Sequence, residues 1–520
     1  MQVGAKVACA LAVTLAFGFS MTTHADALKV KTEQGKVQGK TINDGKVNAF
    51  LGIPYAAPPV GDLRWKAPEP PAKWKGMRDA TKFGAHCAQA RVYDDMVFQD
   101  AGPSEDCLFL NVYAPAGSKD KLPVMFWIHG GGYAGGASSE PRHNGDFLPL
   151  KGVVLITINY RLGVFGFLAT DELAKEANGA AGNYGLLDMI SALHWVHDNV
   201  KSFGGDPDNV TIFGESAGSF AVSTLMASPL AQGLFHKAIG ESGAAFPGGV
   251  ARGGDTVAER SKADGAWMDS IGAKSIKDLR GMSTDQILEA VKKKTSGFPP
   301  DIDGRVLTER VPDTYAAGRQ AHVPLLAGWN ADEGSFFAMR GMTAAQWSAM
   351  ATSLFNDRAP DFLKFYPAGD DTQALRSAID YGSDNFIALG TWKWLEAHKK
   401  TGQAPVYRYH FELAATPSKY HPGVFAFHSD DIEYVFGTLD TRPGFNVRPE
   451  DRKLSDEMMS YWTNFARTGD PNGSGLSNWP RLDDADSLIH LNDPITAGPD
   501  PLRARYEFLL QGIPPMRLPQ

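Results

Sequence analysis

The chain has 520 residues, 43% of them hydrophobic and 11% aromatic, which is ample for a large buried core. Its formal charge of −8, with no basic stripe in view, argues against nucleic acid as a partner. Length alone would suggest about three domains, a prior that large α/β enzymes break, and nothing in the composition specifies an oligomeric state.

At the N-terminus, Lys6 precedes an apolar run from Val7 to Phe19. This reads as a signal peptide over residues 1–25, too short to span a bilayer comfortably, with small residues suited to cleavage after Ala25 or Ala27. The mature chain, 26–520, is therefore expected to be secreted or periplasmic, and no other stretch approaches a membrane span. Cys9 falls in the leader, leaving Cys87 and Cys107. An even count in an oxidising compartment suggests one disulfide closing a loop of about 20 residues. Neither C-x-x-C nor H-E-x-x-H spacing occurs, so no metal site and no cofactor are expected.

From about Leu28 to Asn48 short alternating strands are expected, with a turn at Asn43-Asp44-Gly45. Residues 50–76, rich in Pro and Gly, read as an ordered irregular path. Continuous apolar runs at Val124–Ile128, Val153–Ile158 and Val210–Phe213 predict strands covered on both faces. Helix-period apolar residues run from Gly185 to Val200, and later strands are expected at Val323–Gly328 and Val406–Phe411. Alternating strands and helices predict an α/β fold with an open sheet, largely parallel in its core. The stretches 250–295 and 335–400 look helical and amphipathic and read as cap insertions into one domain. Lys292-Lys293-Lys294, the longest basic cluster, reads as a solvated helix end.

The most informative stretch is Val210 to Gly218, where a β-branched run ends in Gly214-Glu215-Ser216-Ala217-Gly218 and passes into a helix start. In that setting Gly-x-Ser-x-Gly is a nucleophile elbow, the glycines permitting a sharp reversal that presents Ser216 to the positive end of the helix. A serine nucleophile needs a base, an orienting carboxylate and donors for the oxyanion. His129-Gly130-Gly131-Gly132-Tyr133 directly follows the Val124–Ile128 strand, where an oxyanion loop belongs. The N–H groups of Gly131, Gly132 and Ala217 are the candidate donors. Asp332 and Glu333 both follow the 323–328 strand, and position does not separate them as the acid. His428 opens a loop after the 406–411 strand, with His421 and His410 as rivals among 13 histidines.

The chain resembles the type-B carboxylesterases. The resemblance is carried by Phe203-Gly204-Gly205-Asp206-Pro207-Asp208-Asn209 through Gly218 and by Glu105-Asp106-Cys107-Leu108-Phe109-Leu110-Asn111-Val112-Tyr113-Ala114-Pro115. Further matching segments run from Phe50–Ala56 to Trp462–Asn472, so it spans nearly the whole mature chain. It implies an α/β-hydrolase fold, hydrolysis of small-molecule carboxylic esters through an acyl-enzyme, Glu333 as the acid and His428 as the base. It also implies a Cys87–Cys107 pair and ion pairs Arg64–Glu105 and Arg161–Asp188. Amide, carbamate or thioester hydrolysis on the same site is the alternative, and a non-catalytic adhesion-type relative a remote one. The loop from Ala88 to Asp106 holds no Trp, only Tyr93 and Phe98, which does not support a cation–π site for choline. The resemblance also places Ser296 and Phe298 at acyl-pocket positions. Glu215, Tyr133, Phe336 and Phe337 are further candidates for the pocket.

Overall fold

The computed structural model describes residues 28–118, 121–246, 254–294, 296–336, 341–483 and 486–512. The expected leader, with Cys9, and Phe337 lie outside them. Among the described residues, 11 strands make one sheet. In chain order they are β1 (Lys40–Ile42), β2 (Val47–Pro54), β3 (Phe109–Pro115), β4 (Leu122–Ile128), β5 (Val154–Ile158) and β6 (Gly205–Glu215). Then come β7 (Lys237–Glu241), β8 (Leu325–Asn330), β9 (Val406–Phe411), β10 (Ser487–Leu491) and β11 (Thr496–Pro499). The order across the sheet is β11-β10-β9-β8-β7-β6-β4-β5-β3-β2-β1. Every neighbouring pair from β10 across to β5 is parallel, while the pairs beyond β5 and beyond β10 are antiparallel. Because β5 and β6 flank β4 on opposite sides, the chain reverses its winding there. The carboxyl ends of β4 and β6 thus border the crevice where open α/β sheets place their ligands.

The continuous apolar runs are explained by two cores, one on each face. In β4, Val124, Phe126 and Ile128 join one core while Met125 and Trp127 join the other. Successive strand side chains point to opposite faces, so a strand covered on both sides reads as unbroken hydrophobic sequence. On the first face lie helices α1 (Tyr184–Asn199) and α2 (Ala217–Ala227). On the second lies α5 (Pro449–Thr468), which buries Leu454, Met458, Tyr461, Trp462 and Phe465 at helical spacing.

The stretch 335–400 is helical but not uniform. Its helices include α3 (Asp371–Ser383) and α4 (Leu389–Thr401), joined by a π-helical turn at Asp384–Ala388. Helix α4 belongs to the layer on the sheet, since the Trp394 ring fills the space a side chain on Gly240 of β7 would occupy. Strand β7 was not expected from sequence, because Lys-Ala-Ile-Gly-Glu carries a charge at each end and glycine inside, yet every residue of it is buried. The irregular path expected over 50–76 begins only after β2 ends at Pro54. The basic cluster is also corrected in part. Lys292 and Lys293 are exposed, but the Lys294 ammonium is buried 3.3 Å from Asp264 and lies 4.8 Å from the Phe298 ring centre.

Two expected ion pairs form. Arg64 meets Glu105 through two bonds of 2.6 and 2.7 Å, and also donates to the carbonyls of Leu279 and Met282 in the 250–295 stretch. Arg161 meets Asp188 at 2.7 and 2.8 Å with both partners buried. Cys87 and Cys107 are joined in a disulfide.

Candidate active site

Ser216 stands between the end of β6 and the start of α2 with φ 52° and ψ −121°. A non-glycine residue at such angles is strained, and its surroundings must hold it there. Its N–H donates to the Glu241 carbonyl at the end of β7, and its carbonyl accepts from Phe220 N–H, both at 2.9 Å. The flanking glycines leave out Cβ atoms where the chain doubles back, as expected: a side chain on Gly214 would meet the Gly218 backbone at 2.7 Å. Neither adopts a positive φ, and a side chain on Gly214 or Gly218 would also come within 2.5 or 1.9 Å of the Ile128 carbonyl at the end of β4. Glycine is required as well because the elbow is pressed against the neighbouring strand.

Three strand ends converge on this point. Glu333 follows β8, and His428 lies in the loop that pairs back on it through a bridge between Asp332 and Phe427. His428 Nε2 is 2.9 Å from Ser216 Oγ, and His428 Nδ1 is 2.5 Å from Glu333 Oε2. The other Glu333 oxygen accepts from the Asn330 N–H at 2.8 Å, while the Asn330 amide donates to the Phe427 carbonyl at 2.8 Å and to Asp431 at 3.2 Å. Asn330 thereby ties the acid loop to the histidine loop, a role sequence reading missed. Asp332 points elsewhere: one oxygen meets Arg376 at 2.5 Å and the other accepts from Ala426 N–H at 3.0 Å. His421 stacks on Phe427 with ring centres 3.6 Å apart, and His410 bonds Glu412 at 2.8 Å, so neither rival reaches Ser216.

The electrostatics are unusual for an exposed histidine but expected for this one. Burial alone would depress the His428 imidazole, yet the carboxylates of Glu215, 3.3 Å from Nε2, and Glu333 outweigh it and hold its pKa up at about 9. Burial pushes Glu215 up to about 8 against the pull of His428. Behind them Asp431, bonded to the Tyr409 hydroxyl at 2.9 Å, is raised to about 6 by burial and by the charge of Glu333.

The loop after β4 passes beside the elbow. Gly130 lies against Glu215, and Gly131 and Gly132 have φ of 100° and 64°. A side chain on Gly131 would sit 2.2 Å from the Gly135 carbonyl. Among the described residues no acceptor takes the N–H of Gly131 or Gly132. The Ala217 N–H opens α2, where a helix leaves its donors free. The disulfide loop covers this turn: Gln89 both donates to and accepts from Gly136 (2.9 and 2.8 Å), and Met96 and Tyr93 lie against Gly131 and Gly132.

The pocket candidates fare unevenly. Glu215 is in the site. Tyr133, with φ 58°, turns its ring onto Phe167 at 5.1 Å. Phe298 packs on Trp267 and Ser296 is exposed, accepting from Lys294, so their contacts lie with the 250–295 helices. The ring that faces His428 is Phe386, 4.9 Å away, and Phe336 packs on it at 5.8 Å. Phe386 sits in the π-helical turn, a distortion often found at functional sites and invisible to periodicity.

A family model described as "Carboxylesterase family" matches residues 26–508. The chain belongs to the carboxylesterase family. It is 37% identical over 488 residues to fumonisin B1 esterase of Sphingopyxis macrogoltabida, covering 90% of this chain and 87% of that one. It is 36% identical over 490 residues to para-nitrobenzyl esterase of Bacillus subtilis (strain 168), covering 91% and 96%. A solved PNB esterase structure superposes with a TM-score of 0.80 at 34% identity, covering 92% of this chain and 99% of that one. The fold is the α/β-hydrolase fold of these esterases, and the carboxylesterase is a carboxylic ester hydrolase.

Proposed function

We propose that this carboxylesterase is an exported serine hydrolase, one domain over 26–520 behind a leader of 1–25, working through Ser216, His428 and Glu333. The reading is carried by the hydrogen-bonded series from Ser216 Oγ through His428 to the buried Glu333. Ser216 Oγ attacks the ester carbonyl while His428 Nε2 takes its proton, and Glu333 steadies the imidazolium through Nδ1. The negative oxygen of the tetrahedral intermediate is received by the N–H groups of Gly131, Gly132 and Ala217, where one donor is typically worth about 2.7–4 kcal/mol. The intermediate collapses as His428 returns the proton to the departing alcohol oxygen, leaving an acyl-enzyme. Water, deprotonated by His428, then attacks the acyl carbon, and Ser216 leaves with that proton.

The Phe386 ring beside His428, with Phe336 packed on it, supports neutral carboxylic esters as substrates. Export is supported by the disulfide, which persists in oxidising compartments. Among the described residues no helix is long and apolar enough to cross a membrane.

The test is Ser216→Ala, assayed on a short-chain para-nitrophenyl ester, together with mass mapping of an organophosphate adduct. Turnover falls by at least about a thousandfold with the melting curve retained, and the adduct maps to Ser216. Undiminished turnover, or an adduct on another residue, overturns the assignment.

A further inference from the structure

Away from the triad, three side chains converge where β9 meets β10. His410 and His490 are register partners on these parallel strands, so their side chains stand side by side on one face. Glu412, two residues past His410, returns to that same face as the chain continues the pairing through its N–H to the Leu491 carbonyl at 2.9 Å. One carboxylate oxygen, Glu412 Oε1, lies 2.8 Å from His410 Nδ1 and 2.6 Å from His490 Nδ1. All three ligand atoms fall within 4.8 Å of one another. Arg408, on the same face two residues earlier, is already matched by Asp486 and Asp500 at 2.9 and 3.2 Å. Glu412 is thus left to the two imidazoles.

We propose that His410, Glu412 and His490 form a zinc-class divalent cation site that clasps β9 to β10. Two imidazole nitrogens and one carboxylate oxygen are a set that borderline metals favour, and a site that leaves a position for water is normal for zinc. The three side chains are 15–27% exposed, so water reaches the fourth position. Ligand atoms at about 2.0–2.2 Å from a tetrahedral ion stand roughly 3.3 Å apart, so the oxygen moves out from each nitrogen by about half an ångström or slightly more while the two nitrogens, within 4.8 Å of one another, turn toward the ion. Each Nδ1 now donates its proton to the acceptor-only carboxylate oxygen, and a cation would take its place, the neutral ring then keeping its proton on Nε2. The ligands rest on paired strands and pay little to be ordered. Sequence spacing hid the site because His490 comes 78 residues after Glu412 and reaches it only through strand pairing.

The experiment is calorimetric titration of the chelator-treated full chain with zinc chloride, followed by cobalt(II) substitution read in the visible spectrum. One equivalent binds, and the melting temperature rises by about 2–3 °C at a hundredfold excess over Kd. Glu412→Gln and His490→Gln each weaken binding at least about tenfold, while His197→Gln, at an exposed histidine, does not. Metal-free melting curves report whether each variant is folded, and if one is not, the other decides. Absence of stoichiometric uptake by the unaltered chain, or full uptake by a folded Glu412→Gln or His490→Gln variant, overturns the proposal.

Discussion

Two adjacent acids, Asp332 and Glu333, show how one residue of offset changes a side chain's partners. Glu333 is fully buried and bonded to His428, whereas Asp332 bridges Arg376 and the Ala426 N–H and so braces the loop that carries His428. Glu333→Gln is expected to lower kcat by about a thousandfold or more, since the amide can donate where the imidazole also donates. Asp332→Asn keeps kcat within about tenfold and lowers the melting temperature instead. Equal losses of kcat would remove the distinction. Glu215 supplies a second test at this scale. A general base works only when unprotonated, so the acid limb of kcat/KM against pH reports His428. The negative charge of Glu215 helps hold that pKa near 9; Glu215→Gln removes it, and the acid limb moves to lower pH by about one unit. A limb that stays or rises would show that Glu215 is protonated throughout and leaves the imidazole alone.

At the scale of elements, the loop between Cys87 and Cys107 connects stability to the site. It holds Gln89 against Gly136 and Met96 against Gly131, so it shapes the turn that carries the candidate oxyanion donors. Closing a loop with a separation of 20 contributes roughly 3 kcal/mol in the chain-entropy account. The double variant Cys87→Ser, Cys107→Ser is expected to melt about 3 °C lower and to lose several-fold in kcat/KM. A lower melting temperature with unchanged kinetics would mean that the turn is held without the loop. This coupling also marks what sequence could reveal. The strands bearing Ser216, the Gly130–Gly132 turn and His428 were legible, because apolar runs and special turn residues are local signals. The choice of Glu333 and of His428 needed the resemblance, since position alone left Asp332, His421 and His410 open. Phe386, Asn330 and β7 stayed hidden for another reason. A π-helical turn, a side chain joining two loops and a short buried strand with charged ends all owe their positions to tertiary packing.

For the whole molecule, buried titratable groups set the pH range of stability, and their signs can be worked out group by group. Asp301 is raised to about 8 and Glu140 and Asp430 to about 7, each chiefly by burial. The folded state therefore holds protons that the unfolded chain has released above about pH 4–4.5, so stability falls as pH rises toward 8. His428, raised to about 9, adds to the same side, its contribution being complete below about 6.5 and lost through about 9. His129, His398 and His421 are depressed to about 4, mainly by burial, so stability also falls as pH drops from about 6.5 toward 4. The two limbs oppose each other between about pH 4.5 and 6.5 and nearly cancel there, so the loss of stability is steepest above about pH 6.5. Asp301 isolates the alkaline limb because it lies outside the proposed triad. Among the described residues neither of its oxygens has a hydrogen-bond partner, and it presses on Gly182. Asp301→Asn cannot ionise, so its melting-temperature advantage over the unaltered chain should be smallest near pH 4 and grow by about 2–4 °C by pH 8.5. Melting curves across that range decide the matter: a constant offset would mean that the carboxyl titrates alike in folded and unfolded chains, and the cost of burying it would have to be sought elsewhere.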